Sequence, residues 1–308
     1  MNYCQNLEKI KKVLLVGLGG VGTVYANLIS QNPCVDLRVL VDDERLKKYL
    51  ETPRKLNGIA CKFNYILPTE KFFPDLIILA TKSDGFSDVV RLIKPFVQPY
   101  TILMSLSNGI TSEDLLEQIY NNNNVIHSLV ICHTISRDKN NVTHDGVTNI
   151  VWGHKHNDKN IISVIKQFFD DCNIKNTLST NILKDMWKKF CFNCCVNQIS
   201  AVKNYTFEEI RQDDDCMDLI KNISNEIQSI AEKIGIKGLD LQRYSVEKLY
   251  EMLPDAKTSM LQDFENNRIA EVDLFSNVVV QLAEKYSINV PYNKKLYNDL
   301  MVKYNKRC

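Results

Sequence analysis

The six residues "GLGGVG" at positions 17–22 constrain the fold more than any other part of this sequence. They follow "KVLLV", an apolar run typical of a buried strand, and they open "GGVGTVYANLIS", which we predict to be a helix. Gly17, Gly19 and Gly22 have the spacing G-x-G-x-x-G. The first glycine permits a tight turn, the second lets the backbone approach a pyrophosphate, and the third lets the helix pack against the strand. This context predicts a dinucleotide-binding unit, and a glycine-rich turn without a ligand is the other interpretation.

The N–H groups at the start of such a helix face a bound phosphate. We therefore expect the backbone of the whole turn to hold the nucleotide: Gly17, Leu18, Gly19, Gly20, Val21 and Gly22. About 20 residues further on, an acidic residue usually binds the ribose 2′-hydroxyl of NAD, and Asp42 stands there. Arg45 could instead pair with the 2′-phosphate of NADP. Acidic residues also suit a helix N-terminus, so this segment leaves NADP(H) and NAD(H) both open.

The two halves of the chain differ in their apolar patterns. Further strand-like runs follow the first one and alternate with helical patterns: "LRVLV", "DLIILAT", "TILMSLS", "VIHSLVI" and "VTNIVWG". This alternation predicts a parallel sheet with helices on both faces. After about Thr180 apolar residues recur only at helical spacings. We therefore predict an α/β fold, with a Rossmann-type parallel-sheet domain at residues 1–178 and an all-helical domain at residues 179–308.

Net charge and hydropathy exclude several classes of partner. The 308 residues carry a formal net charge of +1, which gives no basis for capture by nucleic acid or by a membrane surface. No apolar run reaches the roughly 18–20 residues that a membrane helix needs. The N-terminal residues show no secretory pattern, so we expect a cytoplasmic protein. Ten cysteines are scattered along the chain, and most should be small buried packing residues.

The stretch "WKKFCFNCCVNQISAV" contains three closely spaced cysteines that could begin a metal site. Structural zinc needs four ligands, usually two close pairs. Cys191 and Cys194 form one such pair, but no second C-x-x-C exists. His154 and His156 lie far off in the sequence, and Cys195 would point about 100° away from Cys194 on a helix. We therefore expect these cysteines to pack in the core, and we expect no metal.

The same stretch carries Lys189, Asn193 and Asn197, which are spaced four residues apart. On an α-helix such residues fall within roughly 80° of arc. Their neighbours are apolar nearly all round, which is typical of a buried helix. Buried polar groups need partners or a polar cleft. A solvated stripe that includes Lys188 is one interpretation, and a substrate site is the one we favour.

These motifs, taken together, resemble those of ketopantoate reductases (2-dehydropantoate 2-reductases). The helix pattern W-x-K-(F/L)-x-x-N-x-x-x-N resembles the start of that family's second domain. Four other segments match in order: "GLGGVG", "ATKSDG" with Lys82, "SLSNGI" with Asn108, and "KTSMLQDFENNRIAEVD" with Ser259 and Glu271. The resemblance covers nearly the whole chain, and the last motif is its most specific part.

The resemblance implies a role for each matching residue. Lys189 would be the general acid that protonates the new hydroxyl, and Glu271 would lie close to it and to the reacting centre. Three residues would hold the 2-keto acid substrate: Asn193, Asn197 and Ser259. The reaction would be the NADPH-dependent reduction of ketopantoate to pantoate, a step of pantothenate and coenzyme A biosynthesis.

The resemblance also implies further cofactor contacts. Lys82, Asn108 and Glu271 would touch the cofactor, and Asn108 would touch the substrate as well. Family precedent favours NADP(H), and Arg45 agrees with it, whereas Asp42 favours NAD(H). The helical half could include a homodimer surface, although nothing in the sequence marks it.

Two departures from the family pattern stand out. The family often has proline after the second asparagine, where this chain has Gln198. Some members use a further asparagine downstream, and Phe207 stands near that place, with Asn204 three residues earlier. The residue for one substrate contact is therefore not identified.

Two other functions compete with this one. Another nicotinamide-dependent 2-keto or 3-hydroxy acid dehydrogenase would share the two-domain organisation, and a substrate panel separates it. A nucleotide-sensing module without turnover would lack catalytic groups or carry a basic face. The presence of Lys189 and Glu271 and the balanced charge argue against the sensing module.

Overall fold

The computed structural model divides the chain into two compact units, Met1–Ile182 and Leu183–Cys308. The structure describes five stretches of residues: 7–82, 85–120, 124–132, 135–268 and 270–305. Cys4 and Cys308 lie outside these residues. The described secondary structure of the first unit is mixed, whereas that of the second is helical.

An eight-stranded sheet forms the centre of the first unit. Its strands in spatial order are β12 (Asn176–Leu178), β11 (Thr148–His154), β8 (Val125–Cys132), β7 (Ile102–Ser105), β6 (Leu76–Leu79), β1 (Lys12–Val16), β2 (Asp36–Leu40) and β5 (Asn64–Ile66). The chain runs from β1 to β2 on one side and later returns to β6 on the other side. The order of the sheet therefore reverses at β1, and ligands of open α/β sheets bind at the carboxyl end of such a strand.

Helices cover both faces of this sheet. They are α1 (Gly20–Ser30), α2 (Asp43–Glu51), α3 (Phe86–Leu92), α4 (Ser112–Tyr120) and α5 (Lys159–Asp171). Alternate residues of β1 enter two separate apolar clusters: Val13 and Leu15 belong to one, and Leu14 and Val16 to the other. A strand buried on both faces must be apolar at every position, which explains the continuous run "VLLV".

The predicted α/β fold is confirmed, and the sheet differs from the prediction at one edge. β8 and β11 are antiparallel, so β11 and β12 run against the other six strands. A second sheet of four short strands was not predicted: β3 (Lys55–Leu56), β4 (Ile59–Ala60), β9 (Ile135–Asp138) and β10 (Asn141–His144). These strands are short and largely exposed, and β3 pairs with β10 across more than 80 residues. No local apolar pattern could therefore reveal them.

The second unit consists of helices packed around an apolar core. They are α6 (Ile182–Phe192), α7 (Gln198–Lys203), α8 (Phe207–Gln212), α9 (Asp214–Ile234), α10 (Leu241–Glu251), α11 (Ser259–Glu265), α12 (Ser276–Tyr286) and α13 (Pro291–Asn305). A π-helical turn, Asn193–Asn197, joins α6 to α7, and a 3₁₀ turn, Val272–Leu274, precedes α12. Among the residues that the structure describes, no helix is both long and apolar enough to cross a membrane.

Side-chain caps set where several of these helices begin. Four N-cap side chains accept a hydrogen bond from the first turn: Thr206, Asp213, Asp240 and Thr258. Such caps contribute about 0.5–2 kcal/mol each. At the other end of α9, Gly235 adopts φ +104°, a left-handed conformation that favours glycine. These local signals fix the ends of helices in the second unit. That unit holds most of the candidate substrate residues.

Candidate active site

Two glycines of the turn after β1 are required by packing within the protein. Gly17 has φ +100°, and a Cβ there would lie 2.6 Å from the Ala80 carbonyl oxygen. A Cβ on Gly22 would lie 1.9 Å from the Gly17 carbonyl oxygen. A Cβ on Gly19, by contrast, would meet nothing within 4 Å. Gly19 therefore borders open space at the start of α1, where a pyrophosphate could approach the backbone.

The start of α1 is suited to an anion. Gly19 is the N-cap and provides no side-chain hydrogen bond, and the first turn contains no acidic residue. The next N–H groups therefore lack a side-chain cap, which leaves a partial positive charge for a phosphate. Thr23 donates from both its N–H and its hydroxyl to the Gly19 carbonyl, at 3.1 and 2.7 Å, and so holds the turn closed.

Two further residues of the turn have packing roles that the motif does not indicate. The Leu18 side chain is buried in the apolar cluster, so only its backbone is available to a ligand. A Cβ on Gly20 would lie 2.5 Å from Ile135 Cγ2, the first residue of β9. The second sheet therefore packs against the start of α1, and this contact requires glycine at position 20.

The other candidate cofactor residues of the first unit lie at the same edge of the sheet. β1, β6 and β7 are adjacent and parallel, so their carboxyl ends meet. Lys82 follows β6 and is exposed, and Asn108 follows β7 and is half-buried. The Ser107 hydroxyl donates to the Thr81 carbonyl at 2.8 Å and joins the two loops. The fold thus brings Lys82 and Asn108 to the edge that carries the glycine turn.

Asp42 and Arg45 interact with each other at the end of β2. Asp42 is the N-cap of α2 and accepts the Arg45 N–H at 2.7 Å. Its other carboxylate oxygen accepts from the Arg45 guanidinium at 2.5 Å. Their side chains are 48% and 65% exposed, so either group could turn toward a ribose. The acidic residue is both a helix cap and a candidate ribose ligand.

The helix that carries Lys189, α6, ends at Phe192 and is followed directly by a wider helical turn, which the sequence did not indicate. Asn193–Asn197 forms a π-helical turn and is buried throughout. Because a π turn is wider than an α turn, the 80° arc estimated for Lys189, Asn193 and Asn197 on a regular α-helix does not apply here. Asn197 Nδ2 donates to Asn193 Oδ1 at 3.0 Å, so the two amides form one buried pair. Wide turns of this kind are frequent at functional sites.

The remaining candidate residues of the second unit lie on separate segments. Lys189 is half-buried in the last turn of α6, and Glu271 is half-buried directly before the 3₁₀ turn. Ser259 is exposed at the first position of α11. The preceding Thr258 hydroxyl donates to Ser200 Oγ at 3.1 Å. The N-cap residue that precedes Ser259 is therefore bonded to α7, the helix that continues the π turn.

The three cysteines of this stretch are completely buried. Cys191 and Cys195 approach to 3.8 Å between sulfurs, and Ser224 Oγ lies 3.5 and 3.3 Å from them. Burial raises the pKa of the Cys194 and Cys195 thiols well above the usual value of 9.0, which disfavours the thiolate that a metal requires. Within the described part of the chain, no group of three His, Cys, Asp or Glu could hold a metal ion.

Of the two residues near the place where the resemblance implies a further asparagine, one is apolar and the other is bonded through its amide oxygen. Phe207 is buried at the start of α8. Asn204 ends α7 in a left-handed conformation, and its Oδ1 accepts from Lys303 Nζ at 2.6 Å. The chain therefore has a buried apolar side chain at position 207 and an asparagine bonded to Lys303 at position 204.

Glu113 and His127 are buried ionisable residues of the first unit that the sequence did not reveal. Burial raises the pKa of Glu113 to about 8. One of its oxygens accepts from the Ser112 hydroxyl at 2.8 Å, and the other has no hydrogen-bond partner among the described residues. Burial likewise lowers the pKa of His127 to about 4, against the attraction of Glu117. An acidic residue in the first turn of a helix is usually exposed, so no local signal identified Glu113.

The wild type should lose stability as pH rises from about 6.5 to 8, because of the Glu113 carboxyl. We expect Glu113→Gln to abolish this loss. The folded protein keeps the Glu113 carboxyl protonated up to a pKa of about 8, whereas the unfolded chain loses this proton near 4.5. The contribution of Glu113 to the free energy of unfolding is therefore complete below pH 4.5, and it is lost as pH rises through 8. The contribution of His127 is complete above pH 6.5 and falls toward pH 4. Above pH 6.5, only Glu113 of these two residues makes the free energy of unfolding depend on pH.

At about 1.4 kcal/mol per pH unit, the stability difference between the two proteins should change by roughly 1–2 kcal/mol over this range. Trp152 is fully buried in the first unit, so urea unfolding followed by its fluorescence in a Trp187→Phe background measures that unit. Asp114→Asn, at the exposed neighbouring acid, is the matched control and should change the pH dependence only slightly, because burial raises the pKa of Glu113 more than the charge of Asp114 does. Parallel pH profiles for wild type and Glu113→Gln would contradict the prediction.

The fold and the glycine turn define a class of protein. The Rossmann-type unit and the helical unit that follows it are those of NAD(P)-dependent oxidoreductases that act on hydroxy or keto acids. The model of the family described as Ketopantoate reductase PanE/ApbA matches residues 13–157, and the model of its C terminal part matches residues 181–303. The chain belongs to the ketopantoate reductase PanE/ApbA family, which confirms the resemblance in the motifs.

Individual relatives are distant but cover nearly the whole chain. The 2-dehydropantoate 2-reductase of Aquifex aeolicus is 23% identical over 314 residues, which cover 92% of this chain and 94% of the relative. The structure of D-mandelate dehydrogenase with NADH and anilino(oxo)acetate superposes with a TM-score of 0.86 at 20% identity, over 96% and 99% of the two chains. A dimeric ketopantoate reductase from Staphylococcus aureus superposes with a TM-score of 0.74 at 18% identity, over 96% and 100%.

Proposed function

We propose that this protein reduces ketopantoate to pantoate with NADPH. The observation that carries the proposal is the buried amide pair of Asn193 and Asn197, on a π turn that begins directly after the helix carrying Lys189. Buried amides are costly unless they have partners. A pair that is buried and bonded to each other still has donors and acceptors for a substrate carboxylate or hydroxyl.

Lys189 is the proposed general acid. Reduction of a keto group places negative charge on the carbonyl oxygen, and a lysine ammonium stabilises this charge and donates its proton to the same oxygen. The asparagine amides orient the keto acid without adding a net charge. Glu271, in this proposal, keeps the lysine protonated and directed at the substrate, because an opposite charge nearby favours the ammonium form.

The nicotinamide cofactor supplies the hydride, and the protein supplies its orientation. The residues of the first unit fit such a group. The N–H groups of the uncapped turn at Gly19 would hold the pyrophosphate, and the open space beside this residue is where it would enter. Lys82 and Asn108, at the same sheet edge, would contact the remainder of the cofactor.

The proposed preference for NADPH rests on Arg45. Its guanidinium already lies at the end of β2, paired with Asp42 and 65% exposed. Rotation toward a 2′-phosphate would replace an exposed ion pair, which contributes little, with a charge-assisted bond to phosphate. Asp42 would then remain the helix cap through its bond to the Arg45 N–H.

A second candidate is an NADH-dependent reductase of a 2-keto acid with an apolar side chain. Buried Phe207 stands near the family's downstream asparagine, so the site offers one polar group fewer for a substrate hydroxyl. The D-mandelate dehydrogenase with the TM-score of 0.86 was solved with NADH and an aryl keto acid analogue, and Asp42 suits the ribose hydroxyl of NADH.

Initial rates with a panel of keto acids test both candidates. The panel contains ketopantoate, its analogue without the hydroxyl (3,3-dimethyl-2-oxobutanoate) and phenylglyoxylate, each with NADPH and NADH. The highest kcat/KM for ketopantoate with NADPH supports the first candidate, whereas the highest value for phenylglyoxylate with NADH supports the second. Arg45→Ala should reduce the NADPH rates alone. The absence of turnover with every pair would refute both.

A further inference from the structure

The π turn creates a hydrogen-bonding problem within a buried helix. In an α-helix each N–H bonds the carbonyl four residues back, and in a π turn it bonds the carbonyl five residues back. The return from the second pattern to the first skips one carbonyl, which then has no backbone partner. The Asn193–Asn197 turn and the first four residues of α7, 198–201, are buried, so water cannot readily satisfy that carbonyl, and an unsatisfied buried carbonyl is costly.

Gln198 provides the missing partner. Its side chain is completely buried, and Nε2 donates to the Cys194 carbonyl at 2.8 Å. Its other terminal atom, Oε1, accepts from the Ser276 hydroxyl at 2.9 Å and from the Ser276 N–H at 3.3 Å. One side chain therefore closes the wide turn on one side and binds a distant segment on the other.

The bonded segment is the one that carries Glu271. Ser276 is the first residue of α12 and follows Glu271 by five residues, across the 3₁₀ turn Val272–Leu274. The Gln198 bridge thus spans 78 residues of sequence. It links the helix that carries Lys189 and the amide pair to the segment that carries the proposed partner of Lys189.

We propose that Gln198 is a positioning residue that holds the Asn193–Asn197 amide pair and the Glu271 segment in register for the keto acid. This inference rests on the proposed reductase function. The role needs a donor and an acceptor at the end of one side chain, and glutamine has both. A proline, which the family often has at this place, has neither.

Two variants separate the two halves of the bridge. Gln198→Met keeps the length and the apolar stem but removes all three hydrogen bonds of the side chain. Gln198→Glu keeps the acceptor for Ser276 and loses the donor to the Cys194 carbonyl. The matched control is Glu226→Gln, which weakens another buried bridge of the second unit, where Glu226 accepts from Tyr292 and Asn293 on helices that carry none of the candidate residues.

The measurements are kcat and KM for ketopantoate and NADPH, NADPH affinity by calorimetry, and Tm. A small misplacement of positioning groups can cost on the order of 10²-fold in rate. We expect Gln198→Met to lower kcat/KM for ketopantoate by about 10–100-fold, with NADPH affinity unchanged, and Gln198→Glu to fall between it and the wild type. Gln198→Met and Glu226→Gln should lower Tm by similar amounts. Only Glu226→Gln should retain the kcat/KM of the wild type.

Wild-type kinetics for Gln198→Met, with a Tm lowered as in Glu226→Gln, would overturn the inference and leave the proposed function intact. A wild type that turns over none of the keto acids refutes the proposed function instead. Hydrogen exchange then decides the inference without a substrate. Faster exchange in Gln198→Met at both residues 193–199 and residues 272–278 supports the bridge, and unchanged exchange at either segment rejects it.

Discussion

Lys189→Ala is expected to lower kcat for the keto acid by about 10²–10⁴-fold, the usual contribution of a general acid, with NADPH affinity retained. The two effects should separate because the proposed nucleotide contacts lie on the glycine turn and the carboxyl edge of the first unit's sheet, whereas Lys189 lies on α6. Steady-state kinetics and a calorimetric titration with NADPH measure the two quantities independently.

The neighbouring lysine is the matched control. Lys188 has the same charge as Lys189 and lies on the same helix. Its Nζ, however, lies 3.7 Å from Asp185 and 5.8 Å from the centre of the Tyr244 ring. Lys188→Ala should leave kcat within about twofold of wild type, because exposed ion pairs contribute little. Equal kinetics for the two alanine variants would mean that Lys189 is only a surface residue of this helix, and the assignment of the helix to catalysis would fail.

Lys189→Arg sharpens the same experiment. Arginine keeps the positive charge but does not release a proton under these conditions. If proton donation is the main role, Lys189→Arg should be nearly as slow as Lys189→Ala. Glu271→Ala should also lower kcat, and the double variant Lys189→Ala with Glu271→Ala should be far less impaired than the product of the single effects, because the two residues act as a unit.

Gly19→Val should weaken nucleotide binding by about 100-fold or more, since hydrogen bonds to charged groups contribute about 1.5–3 kcal/mol each. The backbone at Gly19 has φ −73°, which valine can adopt, and a Cβ there meets no protein atom within 4 Å. The fold should therefore be retained. The valine side chain would occupy the space from which a pyrophosphate reaches the turn.

Gly22→Ala provides the contrast. Its Cβ would lie 1.9 Å from the Gly17 carbonyl, so the variant should destabilise the first unit by about 3 kcal/mol or more, at the upper end for overpacking. Calorimetric titration with NADPH and urea unfolding of both variants test the pair. An unchanged NADPH affinity in Gly19→Val would refute the assignment of the turn to the pyrophosphate.

Motifs with short-range causes were readable in the sequence. The run before Gly17 predicts a strand because residues 13–16 of β1 are all buried, and the glycine spacing predicts the turn because Gly17 has a positive φ and a Cβ on Gly22 would meet the Gly17 carbonyl. The helical second half was readable from its apolar spacing. The roles of Lys189, Asn193 and Asn197 came from a resemblance, and they remain predictions that the kinetic variants test.

Other features depend on contacts between distant segments. The second sheet pairs β3 with β10, and its contact with Gly20 comes from Ile135, more than 100 residues away. The burial that raises the pKa of Glu113 comes from the tertiary packing around α4. A sequence pattern cannot show which side of a short amphipathic segment will be covered, because the covering atoms belong to other parts of the chain.

The sequence by itself determined the order of the two units, the strand, turn and helix of the nucleotide-binding loop, and the family. Each depends on residues close together in the chain or on motifs in a fixed order. Only the tertiary structure decided the form of the helix after Lys189. The Cys194 carbonyl within the π turn accepts from the Gln198 side chain, which in turn accepts from Ser276, 78 residues away. The helical spacing of Asn193 and Asn197 could not reveal this turn, because the bond between Gln198 and Ser276 joins segments that are distant in the sequence and meet only in the folded chain.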